Sequence, residues 1–204
     1  MEKLISYIRQ KYAPWGIIVY GSYADGSNGE NSDFDALVIS NDQPACHDTA
    51  VIEGVQLDVF TYPRDYVAGN IDLEEVLQIF DGLVVLDTDG LAERLKQRVV
   101  KYLNNRPQKS KQQVREQICW CRKMVMRTRR MDAEGMFRWH WLLIDSLEIF
   151  CDKVGQFYFG PKKTLKWMQN QYPEAFQIYK KALSCLEEQS LVAWIDYLEQ
   201  DTDG

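Results

Sequence analysis

The stretch that decides the fold is Gly21–Val38, GSYADGSNGENSDFDALV. It opens on Gly21-Ser22 directly after the apolar run Ile17–Tyr20 (IIVY) and closes in Phe34–Ile39 (FDALVI), so it reads as a strand, a turn and loop rich in Gly, Ser, Asn and Asp, and a second strand. Side chains two apart on an extended strand point the same way, so Asp33 and Asp35 present two carboxylates on one side. A third strand is expected over Val55–Phe60 (VQLDVF), preceded by Gly54 and closed by Pro63. Its alternation puts Val55, Leu57 and Val59 on one face and Gln56, Asp58 and Phe60 on the other.

Three carboxylates from Asp33, Asp35 and Asp58 gathered within a few ångströms would repel one another and raise each other's pKa values. A divalent cation resolves that conflict, and Mg2+ in particular brings substrate phosphates as its remaining ligands. Gly21-Ser22, at a strand-to-turn transition, offers backbone N–H groups and a hydroxyl to phosphate oxygens that glycine lets approach closely. This is equipment for phosphoryl transfer.

With the glycine-serine turn, the loop, the Asp-x-Asp pair and the downstream Asp58 in order, residues 17–60 resemble the polymerase-beta-like nucleotidyltransferase superfamily. The resemblance implies that Asp33, Asp35 and Asp58 are catalytic and hold metal, two Mg2+ ions in the family's manner, and that Gly21 and Ser22 form the nucleotide's phosphate-binding turn. It also implies transfer of a nucleoside monophosphate, AMP by expectation, from an NTP such as ATP to an acceptor hydroxyl, with pyrophosphate leaving. The layout is similar to the small two-domain aminoglycoside and lincosamide nucleotidyltransferases. That similarity points to a small-molecule acceptor such as an antibiotic, and to a cleft that small relatives often complete as a homodimer. Two alternatives stay open: a protein or RNA acceptor, as in antitoxin-like branches, and a non-catalytic nucleotide-binding scaffold.

Outward from that segment, the chain of 204 residues is large enough to bury cores without cross-links. Its 46% hydrophobic and 26% charged residues are those of a folded, cytosolic-type protein. No run of roughly eighteen apolar residues predicts a membrane span, and the N-terminal MEKLISYIRQKY reads as an amphipathic helix. The five cysteines are odd in number and lack CxxC spacing, which predicts reduced, mostly buried thiols, and Cys46-His47 is too sparse for a closed zinc site.

Charge divides the chain. Up to Leu103 there are 8 basic and 17 acidic residues, a balance of −9, whereas the remainder carries +3. An acidic half that holds a polyanionic triphosphate needs a cation to do so. A helix is expected over Ile71–Phe80, a buried strand over Leu83–Leu86 and a helix over 91–103, with a linker at 104–110. The expected fold class is therefore an α+β domain with a small mixed sheet (residues 1–103) followed by an all-α bundle (residues 111–204), with helices over 111–131, 133–154, 162–171, 173–187 and 190–199.

In the 133–154 helix, Phe137, Ile144, Leu147, Cys151 and Val154 recur at helical spacing as the expected core stripe. A second stripe, Arg138, Trp141, Asp145, Glu148 and Asp152, joins aromatic and acidic character. Trp141, Asp145 and Glu148 are the candidate contacts to a cationic, ring-containing acceptor, and Glu148 or Asp145 the candidate general base; the competing reading is a solvated face. Lys162 and Lys163, behind Pro161 at a helix start, are candidate phosphate contacts. The basic run from Lys109 to Arg130 spreads around its helix, which argues against nucleic-acid binding, and His140 is expected to be a packed helix residue.

Overall fold

The computed structural model describes residues 1–41, 43–130 and 132–200. Contacts divide the chain into two compact units, Met1–Arg106 and Pro107–Gly204. The first is a mixed α/β unit and the second is helical.

The first unit opens with α1 (Glu2–Tyr12), whose Leu4, Ile8 and Tyr12 form one buried stripe. There follow β1 (Gly16–Val19), the single turn α2 (Ser22–Asp25), β2 (Phe34–Ser40), β3 (Cys46–Asp48), β4 (Val51–Ile52) and β5 (Val55–Pro63). After α3 (Arg64–Ala68) and a 3-10 helix over Leu73–Asp81, β6 (Leu83–Asp87) and α4 (Leu91–Asn104) complete the unit. The strand order is β3-β5-β2-β1-β6, with β4 added to β5. Strands β2 and β5 run parallel and the other pairs antiparallel.

Alternation along the strands serves two cores. On one face Ile17, Val19, Phe34, Ala36, Val38, Leu57 and Val59 pack with Leu4, Ile8 and Tyr12 of α1. On the other, Ile18, Tyr20, Leu37 and Ile39 meet Val67 of α3, Val76 and Ile79 of the 3-10 helix, and Leu91, Leu95 and Val99 of α4. The sheet is thus sandwiched between helical layers, and the division of β5 into a Leu57/Val59 face and an Asp58/Phe60 face follows the expected alternation.

One local expectation is met in a tighter form and one fails. The segment after Ile71 is a 3-10 helix, capped by Asp72 through the Glu74 amide and kinked at Val76, where φ is −128° and ψ 20°. The Leu83–Asp87 strand pairs only with β1 at the sheet edge and leaves Leu83 exposed, so it is not a buried strand.

The second unit comprises α5 (Lys111–Thr128), α6 (Ala133–Lys153), α7 (Pro161–Gln171), α8 (Pro173–Ser184) and α9 (Glu188–Glu199). Ser110 and Gln113 close a reciprocal capping box at the start of α5, and Pro161 and Pro173 open α7 and α8. The core centres on Trp139, Phe150 and Trp194. Its polar atoms are paired inside it: Trp194 Nε1 donates to Ser146 Oγ at 2.9 Å and the Tyr179 hydroxyl to the Leu143 carbonyl at 2.7 Å.

The stripe expected to be core on α6 is only half buried. Leu147 and Cys151 are inside, but Phe137 and Ile144 are 68% and 62% exposed, because the helix turns Trp139, Leu143 and Phe150 inward instead. His140 is exposed, whereas its neighbour Trp139 is buried. All five cysteines are free thiols, but only Cys121 and Cys151 are buried; Cys46 and Cys119 are exposed. Several members of the basic run are held by acids: Arg122 bonds Asp196 and Glu199, Arg129 bonds Glu188, Arg130 bonds Asp132 and Glu134, and Lys109 bonds Asp152. Position 131, at the end of the expected 111–131 helix, and residues 201–204 lie outside the described residues. No helix among the described residues is long and apolar enough to cross a membrane.

Candidate active site

The site in the first unit is built where β1 ends beside the start of β2. The Tyr20 amide donates to the Asp35 carbonyl at 3.1 Å, holding the end of β1 against β2. Gly21 then takes φ 65° and ψ −150°, a region open essentially to glycine alone, and starts the turn α2 by accepting the Ala24 amide. A Cβ at position 21 would lie 3.0 Å from the Asp35 Cγ and nearer still to Oδ2, so the absent side chain is what lets the Asp35 carboxylate sit against the turn. Ser22 is buried at the first position of α2. The loop that follows is stitched by Asp25 accepting the Ser27 amide and Ser32 Oγ accepting the Gly29 amide.

Asp35 and Asp58 are direct partners in the parallel β2/β5 register. Both are partly exposed and belong to the face that carries Tyr20. Burial pushes the Tyr20 hydroxyl well above its ordinary pKa, a hydrogen bond with Gln78 opposes that, and the two nearby carboxylates add to the rise, so Tyr20 is neutral at physiological pH. Asp33 is exposed one residue ahead of β2. Among the described residues no three His, Cys, Asp or Glu side chains converge closely enough to enclose a metal ion. The chain therefore brings Asp35 and Asp58 side by side and does not gather all three aspartates into a finished cage.

A pair still suits Mg2+, which is commonly bound by one or two carboxylates and completes its shell with water and substrate phosphates. The chemistry of the donor set, two carboxylates in register beside a backbone cradle, fits that group.

Sequence reasoning missed His47. Its Nε2 lies 2.5 Å from Asp58 Oδ1 and its ring stacks on Phe60, with centroids 4.2 Å apart and planes within 3°. Nothing in the polar stretch around Cys46-His47 announces a strand. Only its antiparallel pairing with β5, which sets His47 opposite Phe60, places the imidazole at the site.

In the second unit a cleft of 590 Å3 is lined by Glu116, Gln117 and Trp120 of α5 and by Asp145 and Glu148 of α6, with Lys109 at its side. Burial raises the Asp145 pKa, opposed by a hydrogen bond with Trp141. Trp141 itself is 42% exposed and meets Trp120 edge to face at 5.8 Å. Gln117 Oε1 is buried and has no hydrogen-bond partner. Lys162 and Lys163 fall in the first turn of α7, Lys162 exposed.

Residues 1–86 match the nucleotidyltransferase domain family. The match spans the Gly21 turn, Asp33, Asp35 and Asp58, so the residues read as phosphoryl-transfer equipment all lie within it. Among solved structures, a nucleotidyltransferase-like protein from Exiguobacterium sibiricum 255-15 is 13% identical with a TM-score of 0.42, covering 97% of this chain and 72% of that one. A toxin-antitoxin structure with AMP-PNP is 18% identical with a TM-score of 0.37, covering 50% of this chain and 86% of that one. No curated protein matches the chain. The matched residues lie in the mixed α/β unit.

Proposed function

We propose that the protein transfers a nucleoside monophosphate, AMP in the first instance, from an NTP to a hydroxyl of a small cationic molecule and releases pyrophosphate. The observation that carries this reading is the in-register Asp35–Asp58 pair beside the Gly21 turn. In it the acceptor oxygen attacks the α phosphorus, the bond to the pyrophosphate oxygen breaks, and the hydroxyl proton passes to a general base. Asp35 and Asp58, with Asp33 joining from the loop, would hold Mg2+, which when bound neutralises phosphate charge and lowers the pKa of the attacking hydroxyl. The Gly21-Ser22 turn gives the phosphates N–H donors and a hydroxyl without an intervening side chain.

The acceptor side of the reading is supported by the chemistry of the α5/α6 cleft. Glu116, Asp145, Glu148 and the unpartnered Gln117 Oε1 offer hydrogen-bond acceptors, and Trp120, which Trp141 meets edge to face, adds an aromatic ring. Such a lining favours N–H donors and cations, which stack on indole rings. Incubation with α-labelled NTPs, Mg2+ and a panel of hydroxylated amines, lincosamides, RNA and protein tests the reading. Label on a small amine supports it; label on macromolecules alone moves the acceptor to the protein or RNA alternative. Nucleotide binding without any transfer removes it.

A further inference from the structure

Resting on the reading of Asp58 as a metal ligand, we propose that His47 is a positioning residue that fixes the Asp58 carboxylate. An ionised carboxylate only accepts hydrogen bonds, so the 2.5 Å contact is a donation from His47 Nε2–H to Oδ1. One oxygen of Asp58 is thereby occupied, and Oδ2 is the atom left for a cation shared with Asp35, its register partner. Without such a restraint two adjacent carboxylates splay apart by repulsion, and a short aspartate side chain resists this poorly.

The imidazole is itself held. Its ring lies flat on Phe60, and the residues on either side pin the three-residue strand β3 to the opposite face of the sheet. Cys46 Sγ contacts Thr61 Oγ1 at 2.6 Å, and the Asp48 carboxylate accepts from Lys11 at 2.8 Å and from the Tyr12 hydroxyl at 2.6 Å. A short edge strand that would otherwise fray thus presents His47 from a fixed backbone. Residues that orient a ligating side chain through hydrogen bonds commonly contribute as much to metal affinity as a weak ligand does.

The test compares His47→Gln with His47→Leu. Both keep a side chain against Phe60, and only glutamine keeps an N–H donor. Mn2+ titration followed by electron paramagnetic resonance, without nucleotide, is expected to show a roughly 10–100-fold loss of affinity in His47→Leu and recovery of most of it in His47→Gln. Circular dichroism and melting curves should be alike for both variants. Binding by His47→Leu within twofold of the unsubstituted protein, or an equal loss in both variants, overturns the positioning role. Asp58→Asn separates this from the reading beneath it: loss of Mn2+ binding there, with His47→Leu unaffected, sinks only the role of His47. Unchanged binding in Asp58→Asn removes Asp58 as a ligand and the positioning role with it.

Discussion

The Asp35 carboxylate occupies the space in which a side chain at position 21 would begin, so Gly21 and Asp35 are mutually dependent. Gly21→Ala imposes both a backbone conformation open essentially to glycine and a collision with Asp35. The strain costs about 1–3 kcal/mol, and displacing the carboxylate removes transfer. Gly26 is the natural control, since it also has positive φ, 73°, but a Cβ there meets nothing within 4 Å. Gly26→Ala should cost about 1–2 kcal/mol and leave transfer intact. Denaturant melts with a transfer assay distinguish the two, and equal activity in both variants would show that the contact has no functional weight.

Asp35 and Asp58 stand opposite each other in register, and the reading of the site makes them the cation's protein ligands. Asp35→Asn and Asp58→Asn should each weaken Mn2+ binding and transfer by more than the roughly 10–100-fold that loss of a supporting hydrogen bond costs, with circular dichroism unchanged. Asp33→Asn, on an exposed residue ahead of the strand, should affect transfer more than nucleotide-free Mn2+ binding. Isothermal titration with Mn2+ and a rate measurement decide both, and full activity in Asp35→Asn would remove the assignment.

Long periodic elements were legible in the sequence because their pattern repeats several times. The strands carrying Asp35 and Asp58 declared themselves by alternation, and α5 and α6 by helical spacing. What escaped was set by tertiary pairing. Strands β3 and β4 are three and two residues long, too short to show a period, and exist through their pairing with β5. His47 was missed with them. On α6 apolar residues occur on more than one side, so periodicity allowed two stripes, and only packing with α5 and α9 selected Trp139 and Phe150 over Phe137 and Ile144. The Asp-x-Asp spacing named Asp33 and Asp35 as candidates, but it did not show that Asp35 would stand in register with Asp58 or that no three such side chains would converge among the described residues.

Trp194 is the keystone of the helical unit, in contact with Phe150, Tyr179 and Tyr197 and bonded to Ser146. Trp194→Ala should destabilise by about 3–5 kcal/mol, the usual range for emptying so large a buried site. Ser146→Ala should cost less, about 1–3 kcal/mol, because it leaves the buried indole N–H without its acceptor. Urea unfolding followed by circular dichroism measures both, and a loss in Trp194→Ala no greater than in Ser146→Ala would place the weight of the core elsewhere.

Asp48 gives the α/β unit a defined response to acid. Burial works to raise its pKa, but the bonds from Lys11, Tyr12 and the Ala50 amide outweigh it and hold the carboxyl below the usual range. The same cluster, with burial as the larger cause, pushes the Tyr12 hydroxyl up to about 12, so Tyr12 stays a donor throughout the accessible range. A carboxyl whose folded pKa is depressed contributes stability that is fully present above its unfolded pKa, about 3.9, and is lost as pH falls through the folded value. Asp48→Asn should therefore lower the melting temperature at pH 7, and the gap from the unsubstituted protein should narrow steadily below about pH 4. Paired melts from pH 7 to pH 3 check the sign. A gap that stays constant over that range would mean that Asp48 acts through packing alone, with its charge contributing nothing to the anchoring of β3.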